Sequence, residues 1–355
     1  MSLSVGIVGL PNVGKSTTFN ALLKKKQAEA SNFAFCTIEP NVGIVNVPDE
    51  RLEQLSKISQ SKKTVPTTVE FIDIAGIVSG AHKGEGLGNK FLAHIREVDA
   101  IIEVVRAFKN PDITHVAGKI DPESDIETIN LELIMADLQS VDNRLTRLTK
   151  DAKSGDKKLL IEKQLLEKIK KNLEDEQAVR DFQFTDEERL IIKPSNLLTL
   201  KPLLYLINVD DNSDKEISSV GQTNTITINA QLESEIAELP EEEQADYKKE
   251  LGISETGLDK LIKTAYQMLN LITYFTSGEP ETRAWTVKQN TKAPEAAGVI
   301  HTDFIKGFIR AEVISWQDFV DNNGWNSTKE KGLVKTEGKD YEVKDGDVCY
   351  FLINK

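Results

Sequence analysis

The stretch Gly9-Leu10-Pro11-Asn12-Val13-Gly14-Lys15-Ser16-Thr17 constrains this chain more than any other. It has the spacing G-x-x-x-x-G-K-[ST], and its flanks supply the setting such a loop needs: Ser4 to Val8 predicts a buried strand and Thr17 to Lys24 a helix. Glycines at 9 and 14 let the backbone turn tightly and approach a polyanion, so that successive N–H groups and the positive end of the following helix face phosphate oxygens. Lys15 is placed to reach the β- and γ-phosphates, and the Ser16 hydroxyl suits Mg2+, a hard cation that prefers oxygen. Asn12, Val13, Gly14, Lys15, Ser16 and Thr17 are the expected nucleotide-binding residues of the loop.

A phosphate loop needs partners downstream. Thr37, in Phe35-Cys36-Thr37-Ile38-Glu39-Pro40, lies between the first helix and the second strand, where a threonine can close onto Mg2+ and the γ-phosphate; an ordinary surface threonine is the alternative. Gly43 to Val47 and Thr68 to Ile72 predict strands, and the second delivers Asp73-Ile74-Ala75-Gly76 at its carboxyl end, where such sheets bind ligands. Asp73 there can orient Mg2+ through water, and Gly76 can present its N–H to the γ-phosphate. Ser16, Thr37 and Asp73 form the expected metal set.

Alternating strands and helices continue through Ala100 to Val105, Pro202 to Ile207 and Thr225 to Ile228, which predicts an α/β fold with a mostly parallel sheet. Between them Ile134, Leu138, Val141, Leu145 and Leu148 alternate spacings of four and three, and Leu166, Ile169 and Leu173 repeat the pattern after a polar break at Lys153 to Asp156. An inserted antiparallel coiled-coil hairpin is one reading, two ordinary surface helices the other. Past Leu271 the pattern turns to strands, with Arg283 to Val287, a helix-like run from Phe304 to Ile309, and Val348 to Ile353, which predicts a small α+β domain. The expected ranges are 1–125 and 196–272 for the nucleotide domain, 126–195 for the insertion and 273–355 for the last domain. His301-Thr302-Asp303 reads as a turn or cap, since no nucleophile accompanies it.

Composition narrows the function classes. A formal net charge of -13 disfavours a generic electrostatic grip on nucleic acid or on an anionic membrane. Cys36 and Cys349 lie far apart and make no metal-ligand spacing, and no apolar run approaches membrane-spanning length, so a cytoplasmic protein is expected.

Gly9 to Thr17, Phe35 to Asn41, Asp73 to Gly76 and Gly84-Glu85-Gly86-Leu87-Gly88-Asn89 together resemble the YchF-type Obg-like ATPases, of the TRAFAC class and Obg family. Ala284-Trp285-Thr286 and His301 to Ala311 resemble the TGS domain that ends such proteins. The resemblance implies a Ras-like P-loop NTPase domain with an inserted helical hairpin and a ubiquitin-like carboxyl-terminal domain. It also implies a Mg2+-dependent ATPase that switches with its nucleotide and associates with ribosomes, with a contact to RNA among the expectations. A GTPase of the same fold, or a nucleotide-sensing module with negligible turnover, is the alternative.

Base choice and catalysis carry departures. GTPases of this fold read guanine with Asn-Lys-x-Asp; here the motif is Asn208-Val209-Asp210-Asp211, so Val209 removes the lysine stem that covers the base. The resemblance implies ATP, read through Asn208 and the backbone, whereas Asp211 keeps the acid that a GTPase uses. Asn208, Val209 and Asp211 are the expected base-binding residues. Ile77 stands where a glutamine often positions the attacking water, and its side chain makes no hydrogen bond. The resemblance favours His115 for that task, with Lys15 as the other catalytic residue; His82 is the second candidate, and a loop-capping role for His115 stays open.

Overall fold

The computed structural model of the chain describes residues 3–29, 41–75, 87–111, 113, 119–151, 157–210, 224–253 and 255–354. In chain order the first elements are β1 (Ser4–Val8), α1 (Lys15–Glu29), β2 (Val42–Asn46), α2 (Glu50–Ser59), β3 (Thr64–Val65), β4 (Thr68–Asp73), α3 (Leu87–Glu97) and β5 (Ala100–Arg106). Next come α4 (Pro122–Asp151), α5 (Lys157–Glu174), α6 (Asp186–Ile192), β6 (Leu203–Asn208), β7 (Thr225–Ile228), α7 (Ala230–Ile236), α8 (Glu241–Leu251) and α9 (Gly257–Met268). The chain closes with β8 (Leu271–Ser277), β9 (Thr282–Lys288), α10 (Ala293–Ile300), α11 (Asp303–Gly307), β10 (Phe308–Ser315), α12 (Trp316–Asp321), α13 (Trp325–Glu330), β11 (Lys335–Glu337) and β12 (Asp347–Ile353). These elements form two compact units, one of residues 1–44 and 70–258 and one of residues 45–69 and 259–355.

The first unit holds a six-stranded sheet in the order β2-β4-β1-β5-β6-β7. β1 pairs in parallel with β4 and β5, and β5, β6 and β7 continue in parallel. β1 and β5 are buried at every position, which is why both read in the sequence as mainly apolar stretches, with Glu103 and Arg106 the charged exceptions in β5. All the parallel strands end on one side, so Val8, Asp73, Arg106 and Asn208 finish at a common edge. Helix α1 begins at Lys15, earlier than the sequence suggests, because the Gly14 carbonyl accepts from the Thr18 N–H at 2.9 Å and opens the helical ladder. It also runs past Lys24, whose ammonium bonds Ser234 and pairs with Glu238.

Helices α4 and α5 pack through the residues whose spacing announced them: Ile134, Val141, Leu148, Leu166, Ile169 and Leu173 share one apolar cluster. Arg144 bonds Glu162 at 2.8 Å and Asp142 pairs with Lys170 at 2.7 Å, so partner numbers fall along α5 as they rise along α4, as an antiparallel pair requires. Asp137 of α4, fully buried, accepts from the Leu198 N–H at 2.8 Å and from the Thr199 N–H and hydroxyl at 2.8 and 2.7 Å. These bonds fix the turn that leads into β6. Burial pushes the Asp137 carboxyl above its ordinary value, and the same three bonds oppose the rise. Glu103 of β5 is also fully buried, and neither of its carboxylate oxygens has a partner among the described residues. Burial drives its pKa well above the carboxylate range, against the opposing charge of Arg180.

The second unit is built on a sheet ordered β11-β10-β12-β8-β9-β3. Its central pairs β10/β12 and β8/β9 are antiparallel, while β12/β8 and β3/β9 are parallel. One face carries α10 and the cluster of Tyr274, Ala293, Ala297, Phe308 and Val313. The other is covered by α2, whose Leu52 and Leu55 pack with Phe275, Ala284, Phe319 and Val348. Residues 45–69 thus group with the carboxyl-terminal residues, although the sequence places them within the nucleotide domain; the partners that draw them there lie more than 200 residues downstream, beyond the reach of local pattern. A second correction concerns Phe304 to Ile309. The helix stops at Gly307, and Phe308 and Ile309 open β10, one buried and one exposed, which is strand alternation and not a helical face.

Candidate phosphate-binding site

The loop from Gly9 to Gly14 joins the end of β1 to the start of α1, as the motif demands. Two of its residues have left-handed backbone, Asn12 at φ 66° and Gly14 at φ 95°. Gly14 has a further reason to lack a side chain, since a Cβ there would collide with the Asn208 amide. At Gly9 a Cβ would lie 2.7 Å from the Val104 carbonyl oxygen, so β5 can run directly under the loop. Val13 is buried and plugs the loop from inside, and the Thr18 hydroxyl donates to the Gly14 carbonyl at 3.1 Å.

Asn208 is the strut of this arrangement. Its amide nitrogen donates to the Val13 carbonyl at 3.0 Å, and its amide oxygen accepts from the Ala230 N–H at 3.0 Å. The side chain ties the loop to the end of β6 and the start of α7, and one N–H and one lone pair are left over for other bonds. Val209 donates its N–H to the Ile228 carbonyl at 2.9 Å. Lys15 reaches across to Asp73 and forms an ion pair with it, both side chains mostly buried. The ammonium that would meet a triphosphate therefore sits against the acid that would orient a metal. Ser16 and Thr17, by contrast, are exposed in the first turn of α1.

The structure thus brings Val13, Gly14, Lys15, Asp73 and Asn208 to one edge of the sheet. Thr37, Gly76, Ile77, His82, His115 and Asp211 lie outside the described residues. His301 accepts from the Asp303 N–H at 3.3 Å and is exposed, in keeping with a turn. The donors near the loop, the Ser16 hydroxyl and the Asp73 carboxylate, are hard oxygens and fit Mg2+ chemically. No group of three or more His, Cys, Asp or Glu that could hold a metal gathers among the described residues.

Two residues that sequence reasoning passed over stand beside the loop. Phe108, just past β5, lies with its ring edge 3.9 Å from where a Gly14 Cβ would be. Arg106, fully buried at the last position of β5, stacks its guanidinium 4.4 Å from the centre of that ring. The segment is also fastened from the other side, since the Lys109 N–H donates to the Asp210 carboxylate at 2.7 Å. The signal available was a second charged residue, after Glu103, in a strand whose other residues are apolar.

Comparison with known proteins agrees with this geometry. Residues 4–157 match a family model described as 50S ribosome-binding GTPase, and residues 271–354 match a carboxyl-terminal YchF GTPase model described as a protein of unknown function. The chain is 53% identical over 366 residues to the ribosome-binding ATPase YchF of Bacillus subtilis (strain 168), with all of both chains covered. It is 50% identical over 363 residues to the protein of the same name from Escherichia coli O157:H7, again with full coverage of both. Among solved structures, the Schizosaccharomyces pombe YchF GTPase superposes with a TM-score of 0.89 at 37% identity, over 99% of this chain and 98% of that one. No described helix is long and apolar enough to cross a membrane.

Proposed function

The chain belongs to the YchF family, and from that premise we propose that it is a ribosome-binding ATPase whose conformation follows its bound nucleotide. The observation that carries the reading is the loop from Gly9 to Gly14, held open by glycine backbone and strutted by Asn208, with Lys15 at its mouth. The loop amides and the first turn of α1 would bind the phosphates, and Lys15 would leave Asp73 for the β- and γ-phosphates. Ser16, Asp73 and, by resemblance, Thr37 would hold Mg2+, which would neutralise phosphate charge when bound. Gly76 would offer its N–H to the γ-phosphate, and Asn208, Val209 and Asp211 would border the base.

His115 would position the water, since Ile77 has no hydrogen bond to give. Phosphate release by His115→Ala should fall while nucleotide affinity stays at the parent value; equal turnover would return His115 to a capping role. Residues 1–125 and 196–272 are assigned the nucleotide, except 45–69, which group with the carboxyl-terminal residues; 126–195 are assigned the role of an inserted hairpin and 273–355 that of the TGS domain, with ribosomal RNA or protein as the docking partner in the cytoplasm.

The bacterial relatives are titled ATPases and the fission-yeast structure a GTPase. We favour ATP because Val209 lacks the lysine stem that covers guanine. Competition of ATP against GTP for the purified protein tests this, and a preference for GTP would overturn it. Phosphate release measured with and without ribosomes tests turnover; negligible rates in both conditions would leave a nucleotide-sensing module in place of an enzyme.

A further inference from the structure

Arg106 is an anomaly in a sheet core. Among the described residues it is the largest fully buried side chain, and burial lowers its pKa against the opposing charge of Asp125. Its donors go to backbone carbonyls of the loop that follows: Nε to Phe108 at 3.2 Å, Nη2 to Asn110 at 3.3 Å and to Ile113 at 3.0 Å. One cation thus collects three carbonyls spread over six residues, with its guanidinium carbon 4.4 Å from the centre of the Phe108 ring. The ring edge lies 3.9 Å from where a Gly14 Cβ would stand, and Asp210 holds the Lys109 N–H from the side of β6. A buried charge is costly, and a Met or Leu would fill the strand end at less expense if only packing were required.

We propose that Arg106 is a positioning residue for nucleotide binding: it shapes the Ala107-to-Ile113 segment and backs the Phe108 ring, so that this wall of the phosphate-loop site is formed before the ligand arrives. The inference rests on the nucleotide reading given above. Only Arg serves, because its plane stacks on a ring while its edges donate in three directions; Lys keeps the charge but has neither the plane nor the fork.

The wild-type chain is first titrated with a fluorescent ATP analogue. Absence of binding there would sink the nucleotide reading itself, separately from the role of Arg106. Arg106→Met is expected to raise Kd and KM about tenfold, the equivalent of losing one charged hydrogen bond, with kcat within about twofold. An unchanged Kd, or a fall in kcat at constant KM, would overturn the proposal. Arg106→Lys covers the case in which the Met variant does not fold, and wild-type affinity in the Lys variant would overturn it equally. A double-mutant cycle adds a readout that a general packing role would not move. In a Phe108→Ala background, Arg106→Lys should weaken binding by less than about twofold, because the ring it supports is gone. A full, additive loss there would show that Arg106 acts by another route.

Discussion

Replacing Asn208 with Ala tests the strut directly. The substitution removes the donor to the Val13 carbonyl and the acceptor of the Ala230 N–H, two backbone groups on residues that are almost wholly buried. An orphaned buried group costs about 1–3 kcal/mol. Truncation also opens a space that a water can enter, so the lower half of that range applies to each, and the summed loss is about 2–4 kcal/mol. In a unit of this size each kcal/mol lowers a melting temperature by about 2–4 °C, so the transition of the nucleotide unit should fall by roughly 5–15 °C. Asn208→Asp separates the two bonds. It keeps an acceptor for Ala230 but turns an oxygen toward the Val13 carbonyl, so nucleotide affinity should suffer at least as much as in the Ala variant. Differential scanning fluorimetry and nucleotide titration read both quantities. A parent-like melting temperature together with parent-like affinity in Asn208→Ala would refute the strut.

Other expectations follow from the same geometry. Lys15→Ala should abolish measurable triphosphate binding by calorimetry, and an unchanged affinity would remove the loop from the function altogether. Glu103 is protonated in the folded chain to a higher pH than in the unfolded one, so the native state binds the extra proton. Stability from this group is then complete below the ordinary carboxylate value and is lost as pH rises toward the raised folded value. Glu103→Gln should therefore flatten the decline of stability above that ordinary value in urea melts taken across pH 5–9, a range chosen roughly to span it; curves of identical slope would contradict the assignment. His301→Ala should leave phosphate release unchanged, because the contacts its ring makes among the described residues are to its chain neighbours Asp303 and Phe304, and a large loss of turnover would call for another role.

Where the sequence spoke plainly, the physics is local. The glycine–lysine spelling of residues 9–17 is a backbone requirement written in adjacent letters, and the seam of α4 and α5 repeats often enough to be read from spacing alone. The Lys15–Asp73 pair, the Asn208 bond to Val13 and the Asp137 bonds to Leu198 and Thr199 join residues 58, 195 and at least 61 positions apart, and no short window of sequence contains them. Phe308 and Ile309 depart from the helix expectation because a short stretch such as Phe-Ile-Lys-Gly-Phe-Ile suits a helix or a strand equally until its exposed and buried sides are known. Arg106 and Phe108 escaped for a related reason, since a single arginine and a single ring carry no pattern.

The excursion of residues 45–69 into the sheet of residues 271–353 orders events during biosynthesis. A nascent chain exposes Leu52 and Leu55 early, yet Phe275, Ala284 and Val348, which bury them, emerge about 220 residues later or more. The carboxyl-terminal sheet cannot be completed from its own contiguous stretch. A fragment cut at residue 270 would strand the apolar face of α2, Leu52 and Leu55, in water, and one begun there would lack the cover of a whole face. Pieces excised at the apparent boundary should aggregate unless the missing helix is supplied in trans.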